Sequence, residues 1–105
     1  MAWFYLFIAG LLEIVWAFSM KKSVGFTLLL PSVVTIVTMI ASFSLLAVAM
    51  KALPLGTAYT IWTGIGAAGA FVAGVVLLGE TFSLTRAVAA VLIISGIVLM
   101  KLAGE

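Results

Sequence analysis

The sequence predicts an all-α membrane protein in which residues 1–105 form a single domain of four transmembrane helices. Three observations carry that prediction. Hydrophobic residues make up 67% of the chain and charged residues 8%, with a mean hydropathy of +1.48, so there is too little polar surface for a water-soluble exterior. The few charges and turn residues gather at three breaks, leaving four long apolar runs. No run alternates with the period of two that a strand requires, and lipid admits only helices or closed barrels, because every backbone N–H and C=O must be satisfied within the protein.

The same composition excludes several kinds of chemistry. There is no Cys and no His, which removes disulfides, thiol catalysis and the usual transition-metal sites. No nucleophile stands with a base, so no enzyme activity, metal or cofactor is expected. Five basic residues against three acids give a net charge of +2, with no basic run beyond Lys21-Lys22, so nucleic acid is not an expected partner. The N-terminus lacks a basic leader region, and the first apolar run reads as a retained span.

The first span is expected over residues 2–20, about 28 Å as a helix. Its only acidic or basic residue is Glu13. A charge at bilayer depth costs roughly 3 kcal/mol or more, which marks Glu13 as a functional candidate. Leu6, Gly10, Glu13, Trp16 and Ala17 share a helix face, since residues three and four apart are neighbours. On that face the acid can hold a proton or a cation, Trp16 can lie against a cation, and Gly10 leaves room for a ligand or another backbone.

Lys21 to Gly25 form a polar turn, and Pro31 suits the first turn of a second span over 31–50, where its missing N–H is not needed. On that helix Thr35, Met39, Ser42 and Leu46 recur at spacings of three and four. Hydroxyls there either orient a neighbouring carboxylate or bond to their own i−4 carbonyls.

Residues 51–56 break the chain again, and the third span is expected over 57–78. Tyr59, Trp62, Thr63 and Gly66 fall at i, i+3, i+4 and i+7. Trp62 either anchors at the interface, as Trp3 and Tyr5 do, or lies within the span, where Trp16 and Trp62 would sandwich a cation. Gly64-Ile65-Gly66-Ala67-Ala68-Gly69 matches the dinucleotide fingerprint only formally, because no strand precedes it and no acid follows about 20 residues on. In lipid, Gly64 and Gly66 serve close helix packing or a hinge.

The fourth span is expected over 84–102, with Arg86 and Lys101 snorkelling toward the two interfaces. Ala89 and Gly96 lie seven apart on one face and suit a dimer seam. Four spans place Lys51 and Lys101 on one side and Lys21, Lys22 and Arg86 on the other, two against three, a weak bias under the positive-inside rule. Such a chain either takes one orientation through helix-specific effects or inserts both ways up. In the second case opposite copies pair as an antiparallel homodimer with the symmetry of an inverted repeat.

Specific motifs carry a resemblance across nearly the whole chain: Glu13-Ile14-Val15-Trp16-Ala17, Gly25-Phe26-Thr27 before Pro31-Ser32, Leu53 to Tyr59, Ile61 to Ala67, Gly79-Glu80 and Lys101. The chain resembles the small multidrug resistance family, and within it the guanidinium-exporter subtype, for which Trp16 is the best marker. The resemblance implies a dual-topology, antiparallel homodimer in the bacterial inner (plasma) membrane. It also implies proton-coupled export through a site shared by both copies of the glutamate. Glu13 would bind proton or substrate, Ser42 would orient it, and Trp16, Tyr59 and Trp62 would complete the site, with Gly10, Thr60 and Thr63 in support. Thr60 departs from the Ala expected there, which bears on substrate range, and Leu28 replaces a usual basic residue, which bears on topology.

Elementary chemistry fits that reading. A carboxylate in a poorly hydrated place is stabilised by a proton or by a cation, so the two compete. A planar guanidinium offers five N–H donors in fixed directions to a pair of carboxylates. One cation would then displace up to two protons, making exchange electrogenic. Export of quaternary ammonium ions is the nearest alternative and would lean on aromatic contacts. A proton-binding rotor subunit would leave Trp16, Tyr59 and Trp62 unexplained, and a structural or heteromeric partner subunit would tolerate loss of the acid.

Overall fold

A computed structural model describes residues 1–103, which form four helices: α1 Ala2–Lys22, α2 Leu29–Ala49, α3 Leu55–Leu77 and α4 Leu84–Leu102. There is no strand among the described residues. Each helix is long and apolar enough to cross a membrane, with 19 to 23 residues apiece. The protein is a multi-pass, all-α membrane protein.

Five helix limits differ from the expected ones. The first helix runs past residue 20 to Lys22, because two lysines in a last turn complement the negative end of the helix dipole. The second starts at Leu29 in place of 31, which puts Pro31 third in the first turn, among the N–H groups that have no partner within a helix. It ends at Ala49. The third starts at Leu55, directly after an extended Pro54, and ends at Leu77. The fourth spans 84–102, opened by Ser83, whose hydroxyl accepts from the Arg86 N–H at 3.2 Å.

The α1–α2 turn is tied by Ser23. Its hydroxyl donates to the Met20 carbonyl at 2.7 Å and accepts from the Phe26 N–H at 3.0 Å. Between them Val24, Gly25 and Phe26 are all left-handed, with φ of 51°, 69° and 66°. At the end of α3, Gly79 at φ 69° lets the Glu80 N–H return to the Gly74 carbonyl at 3.0 Å, which also accepts from the Leu78 N–H at 3.1 Å.

The helices form a layer in place of a four-sided bundle. α1 packs on both α2 and α3, α2 and α3 barely meet, and α4 packs along α3, reaching α1 where Lys101 lies over the Trp3 ring. The layer measures 41 × 34 × 16 Å. A single helix with side chains is about 10–12 Å across, so the thin dimension leaves no interior shielded on all sides. The core lies at the end where α1 starts, α2 ends and α3 starts, and consists of Leu6, Ala9, Leu46, Ala49, Ala58, Ile61 and Trp62. No residue of α4 is buried.

Candidate functional site

Glu13 stands midway along α1 and leans onto α3 at Gly66. A Cβ at Gly66 would collide with the Glu13 carboxyl carbon and Oε1, so the carboxylate occupies space that only glycine leaves free. Its Oε1 is buried and has no hydrogen-bond partner. One turn further, the Trp16 Nε1 is also buried and unpartnered, and these are the two such side-chain atoms among the described residues. A buried acceptor and a buried donor therefore lie on neighbouring turns of one helix, each lacking a mate, at a typical cost of about 1–3 kcal/mol apiece.

Ser42 is fully buried and joins three helices. Its hydroxyl donates to the Ala9 carbonyl on α1 at 2.7 Å and accepts from Trp62 Nε1 on α3 at 3.0 Å. The single hydroxyl hydrogen is thus given to Ala9, and the expected Ser42–Glu13 bond is absent. Thr35, also fully buried, bonds to its own i−4 carbonyl, at Pro31, at 2.7 Å. Of the two hydroxyl roles that the spacing leaves open, Thr35 takes the local one and Ser42 a long-range one.

Trp16 and Trp62 do not face each other across open space. Phe43 contacts both, with ring centroids 6.2 Å from Trp16 and 5.7 Å from Trp62, and Tyr59 continues the row 5.7 Å beyond Trp62. The spacings and tilts are those of favourable edge and offset contacts. Trp62 is 7% exposed, so the buried ring of the row lies between Phe43 and Tyr59, which are both exposed. Sequence reasoning missed Phe43. Its one signal is a large ring next to Ser42 in an otherwise aliphatic helix.

The stripe Tyr59, Trp62, Thr63, Gly66 is divided by the fold. Trp62 and Gly66 are buried against α1 and α2, whereas Tyr59, Thr60, Thr63 and Gly64 line a cavity of about 740 Å³ on the α4 side. Thr63 donates to the Tyr59 carbonyl at 2.6 Å and Thr60 is exposed, so neither threonine supports the carboxylate within this chain. Gly10 does not hold space for a ligand, since a Cβ there would meet Ile65 Cγ2 at 2.7 Å. Gly64 receives Ile97 of α4, where a Cβ would come within 2.9 Å of its Cδ1, and α3 passes through Gly64 and Gly66 as one unbroken helix. Ala89 is exposed, and Gly96 has nothing within 4 Å of its Cβ position. No group of acids able to hold a metal occurs among the described residues.

The Small Multidrug Resistance protein family matches residues 1–94. A guanidinium exporter of Yersinia pseudotuberculosis serotype I (strain IP32953) is 57% identical over 103 residues, covering 98% of this chain and 99% of that protein. A guanidinium exporter of Escherichia coli (strain K12) is 55% identical over 102 residues, 97% of each chain. One from Citrobacter freundii is 53% identical over 102 residues, again 97% of each.

Proposed function

The chain belongs to the small multidrug resistance family, and on that premise we propose that it exports guanidinium and small guanidinyl cations in exchange for protons, with Glu13 as the contested group. It acts as a transporter in the bacterial inner membrane and not as an enzyme. One observation carries the reading: the buried Glu13 Oε1 has no partner in its own chain and sits where Gly66 makes room for it. A proton or a guanidinium N–H supplies what that oxygen lacks, and the unpartnered Trp16 Nε1 is a donor for a second acceptor next to it.

The flat, one-sided layer supports a second copy. With the α4 backbone packed against α3 alone and no face of the layer enclosing Glu13, an antiparallel homodimer would bring two Glu13 side chains to one site and close it from lipid. Two carboxylates then receive one guanidinium in bidentate fashion and release up to two protons, so that exchange carries charge. Ser42, already holding Trp62 and the Ala9 carbonyl, acts as a positioning residue that fixes the aromatic wall.

Quaternary ammonium export is a second reading, favoured by the row Trp16–Phe43–Trp62–Tyr59, which offers aromatic faces to a cation that cannot donate hydrogen bonds. The purified chain in liposomes separates the two. Guanidinium evokes a current that Glu13→Gln abolishes, and a tetraalkylammonium ion evokes a smaller one or none. Equal currents from both ions would move the substrate class to quaternary ammonium ions, and silence with both in vesicles containing folded protein would refute export.

A further inference from the structure

A second crevice, away from Glu13, opens at the end of the layer that carries the chain termini. It measures about 360 Å³ and lies in the groove between α1 and α4, floored by α3. Its walls are Phe7, Ile61, Ile65 and Ile97, and at its mouth stand Trp3 and Lys101. The Lys101 Nζ lies 4.6 Å from the centre of the Trp3 ring, which holds an ammonium at the level of the interface while its stem covers apolar surface.

We infer that this crevice binds an anionic phospholipid, with the headgroup phosphate at Lys101 and Trp3 and an acyl chain along Phe7, Ile61, Ile65 and Ile97. The polarity of the crevice changes in one direction only, cationic at the mouth and hydrocarbon below, as a lipid molecule does. Charge complementarity selects the headgroup. Among the residues that line the crevice the one charge is the Lys101 ammonium, and no acid lines it; Glu105 follows four residues later, outside the described residues. Basic pockets between transmembrane helices recognise anionic headgroups in this way, each cation adding attraction to a negative leaflet. A second protein copy is the poorer occupant: inserted upside down, it would present the end bearing Lys21, Lys22, Arg86 and Glu80, three cations against one acid.

A bound chain would also brace α4. That helix packs its backbone against α3 alone and meets α1 through Lys101 over Trp3, and a hydrocarbon chain between α1 and α4 supplies contacts on a flank the protein leaves open.

The test is lipid retention by the purified protein, read by native mass spectrometry after reconstitution in an equimolar mixture of phosphatidylglycerol and phosphatidylcholine. Phosphatidylglycerol is expected to be retained several-fold over phosphatidylcholine. Lys101→Gln abolishes the preference, Lys101→Arg keeps it, and Lys51→Gln leaves it unchanged. Ile97→Trp, which fills the crevice, reduces retention of both lipids. An undiminished preference in Lys101→Gln would overturn the site, and so would equal losses in Lys101→Gln and Lys51→Gln, which would mean diffuse surface charge. If the lysine variants unfold, as judged by circular dichroism, the Ile97→Trp result decides, and unchanged retention there refutes the crevice.

Discussion

The two sides of α3 are built alike and finished differently. Toward α1, Gly66 and Gly69 are filled by Glu13 and Ile14, so the helices meet closely and the carboxylate is wedged in the contact. Toward α4, Gly64 receives Ile97, but the rest of that face lines a wide cavity, and Gly96 opposite it touches nothing. In lipid no hydrophobic effect drives helices together, so contact rests on fit between small residues and the side chains they receive. The closed side therefore fixes the geometry of the acid, and the open side is where the chain on its own lacks packing. A proposed second copy finds its natural place on the open side.

The largest effect is expected from breaking the closed side at its acid. Glu13→Gln keeps the shape and removes the charge, and guanidinium-evoked current in liposomes falls to background. Gly66→Ala comes next: the new methyl group meets the carboxylate, and overpacking of about 1–3 kcal/mol lowers guanidinium transport by about tenfold or more while the helix content by circular dichroism is kept.

Ser42→Ala strikes the brace behind the acid. It removes the acceptor of Trp62 Nε1 and the extra donor to the Ala9 carbonyl, leaving the buried Trp62 Nε1 unpaired at about 1–3 kcal/mol, which unfolding in denaturing detergent would register as lost stability. Competition sets the sign of the pH dependence. Lowering the pH loads Glu13 with protons and weakens guanidinium binding, by about tenfold per pH unit for each proton displaced, as titration of Trp fluorescence at several pH values would show.

The smallest effect on the chain is expected on the open side. Gly96→Ala meets no atom within 4 Å, so it changes the stability of the single chain by less than about 0.5 kcal/mol. If Gly96 lies in a seam between copies, the larger Gly96→Leu lowers the dimer fraction measured by cross-linking in membranes. An unchanged dimer fraction would place the seam elsewhere.

These contrasts also explain what the sequence made legible. The four spans could be read because charges and turn residues are costly inside lipid and so mark the breaks. Helix ends shifted by up to two residues because Lys21 and Lys22 tolerate a last turn and Pro31 a first one. Glu13 stood out as the lone acid of an apolar run. The Ser42 bond to the Ala9 carbonyl did not, since a backbone acceptor 33 residues away has no residue type to announce it. Spacing placed Tyr59, Trp62, Thr63 and Gly66 on neighbouring positions, but which of them meets α1 and which meets α4 depends on how the helices assemble. Phe43 was hidden for a related reason: it is 46% exposed, and an exposed aromatic in a membrane helix reads as lipid-facing until Trp16 and Trp62 are seen on either side of it.

The claim that one carboxylate serves both proton and substrate is tested most directly by proton release. Guanidinium is added to the purified protein in weakly buffered detergent solution, and the pH is followed. The wild type is expected to release protons in proportion to bound guanidinium, and Glu13→Gln to release none. Guanidinium binding without proton release, or equal release from Glu13→Gln, would contradict the account.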